Sequence, residues 1–450
     1  MKREREDTEG GKAHNLTTST EQPINETNGQ IQKNKILPRK TAAKPGFDAR
    51  MFEETSFYSN EGLRYVKPYH FTFTTHCKGR WTGRTLIDVF SSEFRMESID
   101  YYKAAVQKGK ITVNGDIVEP SRILKQNDLI KTCIHRHEPP VIDNPIEFVK
   151  NDDEMVVINK PSSIPVHPCG RYRHNTIVFI LGEDYGLTNL HTIHRIDRLT
   201  SGILMFAKTV SKAQEMEKYV KGRLVKKDYL CRVAGRFPPE TLTCSEPIMV
   251  VSHKVGVCQV KPEGKEAKTE FNFVSYNGKS SVVRCVPHTG RMHQIRVHLQ
   301  FLGYPILNDP IYNKPDVWGE SNGKGGTTKP VAEILAALER GRKDSILKSR
   351  QQESSNTVSS VSGDSIGSNQ HNNENQSDKI SNKVPPKKQK LCFGEGNPSF
   401  DSECTECQNP IPDPKPNELC IYLHAVSYKG PGWEYKTSTP EWANADWDIE

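Results

Sequence analysis

The charged loop His194-Arg-Ile-Asp197-Arg-Leu-Thr-Ser-Gly202 runs directly into the apolar segment Ile203–Ala207. A carboxylate crowded by two arginines and a histidine is stabilised as the anion, because nearby positive charge lowers its pKa. We therefore expect Asp197 to stay ionised and to be able to attack or stabilise a cationic carbon. Taken alone, such a loop ahead of a strand is more often a structural ion-pair turn. The rest of the chain decides between these two interpretations.

Apolar runs on both sides of this loop predict β-strands with few helices between them. A helix is predicted to begin at Ser211, paired with Gln214 in a capping box, with Ala213, Met216 and Val220 facing inward. Strands mixed with few helices favour an α+β fold over a regular βαβ repeat. The predicted strands are Met155–Ile158, Ile203–Ala207, Tyr229–Ala234 and Val282–Val286.

The N-terminal part divides into a tail, a lead-in segment and a small α/β region. Residues 1–50 are rich in Lys, Glu, Thr, Asn and Gln without apolar periodicity, so we expect a disordered tail, followed by a lead-in at 51–80. In region 81–140, Ile111–Val118 predicts two short strands joined by a turn at Asn114-Gly115. Helix-spaced apolar positions precede this hairpin at Leu86, Val89, Phe90, Tyr101 and Ala105.

A low-complexity segment interrupts the C-terminal part. After a folded region at 141–313, residues 314–417 are dominated by Ser, Asn, Gln, Gly and Lys, with one helical pattern at Pro330–Leu338. Because an apolar strand returns at Leu419–Leu423, we interpret 314–417 as a mostly disordered insertion and 418–450 as the end of the same domain. Pro385–Lys390 is either a nuclear localisation signal or a solvated basic linker.

Composition places weak limits on partner and compartment. A net charge of +7 and an isoelectric point near 8.7 suit a polyanionic partner, but also many proteins without one. Eleven cysteines, scattered apart from Cys404-Thr-Glu-Cys407, and an N-terminus without an apolar core favour a reducing intracellular compartment. Acidic residues among the first ten argue against a mitochondrial presequence, and no apolar run is long enough to span a membrane. We expect the cytoplasm or nucleus and leave the mitochondrion open.

Five segments, in order, resemble the motifs of the RluA-type family of pseudouridine synthases. The family signature is His-Arg-Leu-Asp, two variable residues and Thr-Ser-Gly, which the loop at 194–202 matches with Ile196 at the Leu position. A second departure is Ser163, where many members have glycine. The resemblance covers about 148–312 and resumes at Leu423–Ala425. The other four segments are Val157–Pro168, Lys227–Tyr229, Gly264–Thr269 and Thr289–Leu299.

The resemblance implies a mixed, largely antiparallel central sheet with a catalytic cleft, and isomerisation of uridine to pseudouridine in RNA. Further segments resemble a eukaryotic branch that contains fungal tRNA pseudouridine(32) synthases, which implies tRNA, at anticodon-loop position 32, and leaves mRNA open as a substrate. These segments are Gly62–Pro68, Lys78–Arg84, His135–Pro140 and Val166–Thr176. We expect a monomer that binds RNA, no membrane, and no cofactor.

Region 81–140 then looks like a divergent S4-type RNA-binding domain. Its basic side chains are by themselves typical of a solvated helix surface, but the resemblance favours phosphate contact. They are Arg84, Arg95, Lys103, Lys108 and Lys110, together with Lys78 and Arg80 directly before the region.

The resemblance assigns the catalytic roles to three residues. Asp197 would meet the positive charge that develops at C1′ when the glycosidic bond breaks, either by attacking C1′ or by removing the 2′ proton. Tyr229 would stack on the uracil and accept its C5 proton, although periodicity alone favours a core residue. Projecting 291–302 as a helix puts Arg291 and Arg296 on the two flanks of an apolar stripe. The family match selects Arg296 as the partner of Asp197, with Arg291 as the alternative.

The remaining predicted site residues bind substrate. Arg195 would fill the gap left when the target base is flipped out of its stack. The other predicted contacts are His194, Thr200, Lys160, Arg291, His293 and Ile295.

Two other functions fit the sequence less well. An inactive RNA-binding scaffold with the same fold would have no need to keep Asp197, Arg195 and Tyr229. A zinc deaminase needs His-x-Glu and Pro-Cys-x-x-Cys, and the chain has neither.

We also expect no catalytic metal. His194, His293 and His298 lack a carboxylate or cysteine at ligand spacing. A zinc site formed by Cys404 and Cys407 with Cys392 or Cys420 stays open.

Overall fold

The computed structural model describes the backbone of residues 49–94, 98–253, 255–359 and 399–448. Most of the predicted tail, together with Arg95, Pro385–Lys390 and Cys392, lies outside these ranges. Among the helices within them, none combines the length and apolar character needed to cross a bilayer.

The N-terminal described residues form two small antiparallel sheets. One has the order β1-β2-β6, and the other the order β3-β5-β4. Two short α-helices, with a π-helical turn at Phe90–Phe94 between them, cover the second sheet through Leu86, Val89 and Phe90, all fully or nearly buried. The elements are β1 Phe57–Asn60, β2 Leu63–Val66, β3 Tyr69–His76, α1 Leu86–Val89, α2 Ile99–Gln107, β4 Ile111–Val113, β5 Leu129–Arg136 and β6 Val141–Ile142.

A larger mixed sheet follows in the chain. Its elements are β7 Glu147–Asn151, β8 Met155–Lys160, α3 Ile177–Tyr185, β9 His191–Thr192, β10 Ser201–Ala207, α4 Val210–Lys221, β11 Lys226–Ala234, β12 Leu242–Cys244, β13 Ile248–Ser252, β14 Val257–Val260, β15 Thr269–Tyr276, β16 Ser280–Pro287, α5 Gln294–Leu302, α6 Pro315–Trp318, α7 Val331–Ser359, α8 Thr405–Gln408, β17 Leu423–Gly430 and β18 Trp433–Lys436.

In the described residues this sheet has the order β12-β15-β16-β11-β17-β10-β8-β7, and outside this order β9 pairs with β10 and β18 with β17. The pair β10–β17 is parallel, and the other pairs are antiparallel. The fold is therefore α+β with a mixed, largely antiparallel sheet, as predicted. One apolar cluster on a face of the sheet includes Tyr229, Ile295 and Leu299.

Gly202 makes the parallel pair possible. It has φ +107°, and a Cβ there would lie 2.5 Å from the Ala425 nitrogen and closer still to the carbonyl oxygen of the same residue. Backbone atoms cannot move aside as a flexible side chain can, so only glycine fits where β10 meets β17. The glycine that ends the signature loop is thus explained by a strand contact.

Ser163 occupies the position where many family members have glycine. Its φ is +69°, in the left-handed region that favours glycine. The side chain is buried, and its hydroxyl accepts a hydrogen bond from the Ile142 nitrogen at 2.9 Å. That bond compensates for the unfavourable backbone conformation and joins β6 to the loop after β8.

Four predicted strands are present, and three local predictions are corrected. The helix α4 begins after Thr209, whose side chain accepts from Lys212 N, so the cap lies two residues before Ser211. Past the Asn114-Gly115 turn the chain makes an isolated bridge at Asp116 and no second strand, because β4 pairs instead with β5. The final apolar strand begins at Leu423, and the buried residues Leu419 and Ile421 precede it outside any strand.

Two predicted boundaries differ from the observed elements. Strand β3 pairs with β5 over its whole length, so the small α/β sheet includes residues before 81. Within 314–417, α6, a helix α7 that extends far beyond Leu338, and α8 are folded. Val317 and Trp318 are buried against Tyr312, which explains why this first part of the insertion packs on the sheet domain.

Candidate functional site

Three hydrogen bonds hold the loop between His194 and Gly202. The Thr200 nitrogen donates to the Asp197 carbonyl at 3.1 Å, which makes a tight turn. The Lys160 ammonium donates to the Arg198 carbonyl at 3.1 Å, and the Ile421 nitrogen donates to the Leu199 carbonyl at 3.2 Å. The turn is therefore fixed from β8 on one side and from the approach to β17 on the other.

The Asp197 carboxylate meets Arg296 of helix α5. Arg296 Nη1 donates to Asp197 Oδ2 at 3.1 Å, the pairing expected from the sequence. The opposite edge of the guanidinium forms a bidentate ion pair with Asp309, in which Nε and Nη2 donate to the carboxylate oxygens at 2.6 and 2.9 Å. The Asp309 side chain is fully buried, whereas that of Asp197 is 28% exposed. One arginine thus lies between a structural carboxylate and an accessible one.

Electrostatics keep Asp197 ionised. Burial opposes the anion, but His293 and Arg296, with a smaller contribution from Arg195, bring the pKa of Asp197 below its ordinary value. Burial and the charge of Arg296 lower the pKa of His293 to about 4. His293 is therefore neutral at physiological pH, and the attraction that persists there comes from Arg296.

His293 contacts the carboxylate from the start of α5. Its Nε2 lies 3.6 Å from Asp197 Oδ2, and its Nδ1 is hydrogen-bonded to the Tyr312 hydroxyl at 2.9 Å. The residue has φ +56°, a costly conformation for a non-glycine residue that is often retained at functional sites. This backbone turn directs the imidazole toward Asp197.

Tyr229 and Tyr428 form a buried pair beside this group. Their hydroxyls are hydrogen-bonded and their ring centroids lie 6.0 Å apart. Burial, and to a lesser extent the Asp197 carboxylate, raise the pKa of Tyr229, so its phenol is protonated at neutral pH. His194 lies against the other side of Tyr428, at 5.1 Å between centroids, and its Nε2 accepts from the Met205 nitrogen at 3.3 Å.

The remaining predicted residues differ in their exposure. Arg195 is exposed and has no hydrogen bond or ion pair with the described residues. Thr200 is buried, and its hydroxyl has no partner there. Ile295 is buried in the cluster that contains Tyr229, while Arg291 donates from Nε to the Glu266 carbonyl and so does not contact Asp197.

Lys160 does not face solvent. Its ammonium is fully buried and donates to the carbonyls of Pro161, Ile164 and Arg198 at 2.7, 2.9 and 3.1 Å. Burial lowers its pKa well below the usual value. These bonds fix the loop that carries Asp197, so they support a positioning role in place of the predicted contact with substrate.

Three residues of the site were not found from the sequence. Asp309 forms an ion pair with Arg296 on the side away from Asp197. The Tyr312 hydroxyl is hydrogen-bonded to His293, and the Tyr312 ring centroid lies 5.0 Å from the Arg296 guanidinium. The Tyr428 hydroxyl is hydrogen-bonded to that of Tyr229. The segment Asn308-Asp309-Pro310 carries a local turn signal, but nothing in it indicates a partner in α5. Tyr428 lies beyond the insertion, where no local pattern links it to β11.

The predicted phosphate contacts are mostly paired with carboxylates. Arg80 pairs with Glu93 at 2.7 Å and Arg84 with Asp88 at 2.7 Å. The other pairs are Lys103 with Asp100, Lys108 with Glu403 and Lys110 with Glu403. Of the seven basic residues in the prediction, Lys78 is the one described residue without an ion pair to the rest of the described chain.

One group among the described residues has the composition of a metal site, and it contains none of the residues above. It consists of His135, His137, Cys404 and Cys407. The histidines near Asp197 have other partners: His298 bonds the Thr269 hydroxyl and the Glu246 carbonyl, each at 2.9 Å.

Comparison with known proteins gives a consistent family. A family model described as RNA pseudouridylate synthase matches residues 154–301. The chain is 46% identical over 433 residues to "Pseudouridylate synthase RPUSD2" of Homo sapiens, covering 92% of this chain and 79% of that protein. It is 37% identical over 431 residues to "tRNA pseudouridine(32) synthase, mitochondrial" of Saccharomyces cerevisiae, covering 92% and 84%. It is 31% identical over 436 residues to "tRNA pseudouridine(31) synthase" of the same yeast, covering 86% and 97%.

The match to the family model covers the Asp197 loop, Tyr229 and Arg296, and the relatives match along nearly the whole chain. The chain therefore belongs to the RNA pseudouridylate synthase family, in its eukaryotic RluA-like branch, and is a pseudouridine synthase that acts on RNA.

Proposed function

We propose that this enzyme isomerises a uridine in the anticodon loop of tRNA, with Asp197 as its catalytic carboxylate. The observation that carries the proposal is the accessible Asp197 carboxylate held by Arg296 at 3.1 Å, beside Tyr229. Breaking the bond between C1′ and N1 builds positive charge on the sugar, which an ionised carboxylate stabilises or captures. Attack on C1′ and removal of the 2′ proton are distinguished by the rate effect of deuterium at C2′, which only the second route makes large.

Arg195 is assigned the role of holding the duplex or loop open. A base inside a stack is out of reach, and extruding it costs a few kcal/mol. Arg195 is exposed, lies two residues before Asp197, and has no ion pair with the described residues, so its guanidinium is free to enter the gap. We assign it to that gap.

Tyr229 is assigned the face on which the released uracil rests. The Tyr428 hydroxyl fixes its ring, and Ile295 packs in the same cluster, which gives an apolar support for the turning base. Because its phenol is protonated at neutral pH, we assign Tyr229 the stacking role alone and not the acceptance of the C5 proton that the family resemblance implied. Arg296 and His293 orient Asp197, and Lys160 positions its loop.

Relatives support the choice of tRNA. Two yeast relatives that match along most of this chain are named for tRNA pseudouridines at positions 32 and 31, and one of the two is named mitochondrial. Single-stranded loops with splayed bases are what a base-flipping site accepts. We propose position 32 of tRNA as the principal target, with mRNA uridines in similar loops as secondary targets.

The catalytic assignment is tested with Asp197→Asn. We expect it to abolish tritium release from tRNA labelled at uridine C5 while RNA affinity changes little, because the amide keeps the shape and loses the negative charge. Asp228→Asn is the matched control: Asp228 also pairs with an arginine, Arg284 at 2.6 Å, on strand β11. Undiminished release by Asp197→Asn would refute the assignment.

The substrate assignment is tested by mapping pseudouridine in cells that lack the protein and are complemented with wild type or Asp197→Asn. Loss at position 32 that only wild type restores supports the proposal, and reading cytosolic and mitochondrial tRNA separately gives the compartment. Loss confined to position 31 or to mRNA would contradict it. Light scattering of the purified chain with and without tRNA tests the expected monomer.

A further inference from the structure

Two histidines and two cysteines from distant parts of the chain converge on one point. His135 is near the end of β5 and His137 directly follows that strand, while Cys404 precedes α8 and Cys407 lies within it. Their ligand atoms all lie within 4.8 Å of one another. The contacts join positions 267 to 272 residues apart, across the whole sheet domain in sequence.

The separations between these atoms match those around a single tetrahedral ion. Cys404 Sγ and Cys407 Sγ each lie 3.4 Å from His137 Nε2, and Cys407 Sγ lies 3.4 Å from His135 Nδ1. The two ring nitrogens are 3.2 Å apart. Zinc bonds of ordinary length at tetrahedral angles place sulfur and nitrogen roughly 3.5 Å apart and two nitrogens roughly 3.3 Å apart.

Hydrogen bonds alone do not account for this arrangement. His137 Nε2 faces three ligand atoms at once, the nitrogen of His135 and both sulfurs, yet a neutral ring nitrogen offers either one proton or one lone pair. A cation at the centre satisfies all four atoms together. Because Cys407 Sγ is equally near to both imidazoles, the geometry suits one ion and not a two-iron cluster that separates its cysteine and histidine ligands.

The surroundings have the features of a zinc site's outer layer. The Asp401 nitrogen donates to Cys407 Sγ at 3.4 Å, as backbone N–H groups do to zinc-bound thiolates. The His135 ring has a further hydrogen bond with the Ser399 backbone. Cys407 is 5% exposed and Cys404 9%, so the sulfurs are shielded from solvent.

Ion pairs independently bring the same two segments together. The Glu403 carboxylate forms ion pairs with Lys108 at 2.5 Å and with Lys110 at 2.7 Å, and both lysines belong to the small α/β region. The Glu406 carboxylate forms an ion pair with Arg171 at 2.5 Å. The returning end of the insertion is therefore docked where the four ligands meet, so the convergence does not depend on the ligands alone.

We propose that His135, His137, Cys404 and Cys407 bind one structural zinc ion that fastens the segment Ser399–Asn409 to strand β5. Four protein ligands leave no open position, so the ion stabilises the fold and takes no part in the isomerisation. Cysteine spacing alone suggests Cys392 or Cys420 as partners of the cysteine pair. Cys392 lies outside the described residues, and Cys420 Sγ contacts Asn308 Nδ2 at 3.8 Å. His135 and His137 take their place, and the spacing of cysteines along the chain gives no indication of them.

The test measures zinc by mass spectrometry in the full chain, purified without a metal-binding tag from zinc-supplemented cells. We expect about one zinc per chain in wild type and less than about a tenth of that in Cys404→Ser/Cys407→Ser. Cys133→Ser on the same strand β5 and Cys420→Ser after the same segment are matched controls and should keep the metal. Loss of zinc by the controls, or its retention by the double variant, overturns the proposal.

A second pair of variants separates ligation from general misfolding. His137→Cys keeps a zinc ligand and should retain the ion, whereas His137→Ala should lose it; equal zinc in the two variants counts against ligation. Cobalt added to the metal-free chain should give the intense visible bands of tetrahedral coordination and sulfur charge-transfer absorption.

Removing the ion should raise hydrogen exchange in 399–409 and 129–137 and leave 201–207 unchanged. A wild-type chain that holds no zinc, or an intramolecular Cys404–Cys407 disulfide in the freshly isolated chain, would contradict the site.

Discussion

Arg296 is shared by two carboxylates of different character. Asp309 is buried and also accepts the Ile311 and Tyr312 nitrogens at 2.9 and 3.0 Å, so its charge is fully committed to the fold. The Asp197 side chain is partly exposed and accepts a hydrogen bond from only one of the guanidinium nitrogens. Arg296, which orients the carboxylate that we propose to be catalytic, is thus itself oriented by a second carboxylate.

Arg296→Met should destabilise the protein by about 3 to 5 kcal/mol, because it leaves Asp309 buried without a counter-charge. Adding Asp309→Asn should recover a large part of this loss, since the amide oxygen still accepts the two backbone N–H groups. Urea unfolding measures both. Turnover should be lost in both variants because Asp197 has no partner. A double variant no more stable than the single one would show that the charge of Asp309 is not the cause.

The pH dependence of turnover follows from two lowered pKa values. The pKa of Asp197 is below its ordinary value, so the anion is present above it and is lost only as pH falls through it. His293, with a pKa of about 4, is neutral above that range. We therefore expect the single-turnover rate of tritium release to stay constant as the pH is lowered to about 5, and to fall only below that pH.

Arg296→Lys should raise the pH at which the rate begins to fall. A lysine cannot pair with both carboxylates, so less positive charge offsets the effect of burial on Asp197 and the pKa of that carboxyl rises. The same rate measurement from pH 4 to pH 8 checks it. A limb near pH 6.5 in the wild type would instead point to a titrating histidine.

Among the elements, the pairing of β10 with β17 decides where the loop that carries Asp197 ends. Ser201 and Gly202 pair with His424 and Ala425, and the Ser201 hydroxyl is hydrogen-bonded to His424 at 2.8 Å. The strand that returns after the insertion therefore supports the residues that immediately follow Asp197. A chain truncated before β17 would lose this support and Tyr428 together.

Gly202→Ala should cost about 2 kcal/mol or more of unfolding free energy, because the new Cβ meets the Ala425 backbone in addition to the strain of a positive φ. Gly186→Ala is the matched control. Gly186 ends α3 with φ +67°, and a Cβ there has nothing within 4 Å, so only about 1 kcal/mol is expected. Thermal or urea unfolding compares the two. Equal losses would mean that the close approach of β17 contributes nothing.

At the scale of the whole molecule, the small α/β region is firmly attached to the sheet domain. The Glu138 carboxylate accepts hydrogen bonds from the backbone nitrogens of Arg173, His174 and Asn175 at 2.8 to 3.0 Å. Deleting residues 1–140 would remove these contacts along with any RNA-binding surface. The RNA contact predicted for this region is better tested by neutralising side chains.

Lys78, Lys125 and Lys131 are exposed and have no ion pair with the described residues, so we propose that they contact phosphate. Changing all three to Gln should lower the slope of log affinity against log salt by about 2, at 0.7 per lost contact on single-stranded RNA. The control changes Arg80, Arg84 and Lys103 to Gln. These already pair with carboxylates, so the slope should change less. Equal slopes for the two sets would count against the proposal.

Local pattern was sufficient for much of the sheet domain. Strands β8, β10, β11 and β16 are runs of apolar residues that periodicity detects, and five motif segments in order, the loop at 194–202 among them, pointed to the family. Element ends were less well determined. The cap of α4 is Thr209 and not Ser211 because both residues can accept a backbone N–H, and only the direction in which the chain enters the helix selects one.

Neighbouring residues were enough to identify the family of the enzyme and the approximate course of its central strands, and to single out Asp197 as the candidate catalytic carboxylate. Tertiary structure alone decided that Asp309 supports Arg296, that Tyr428 holds Tyr229, and that His135 and His137 meet Cys404 and Cys407. The last two of these contacts span about 200 residues or more, and the first joins a helix to the loop beyond it. Hydrophobic periodicity has a range of a few residues, whereas such contacts exist only after strand order and register have brought separate segments to one place.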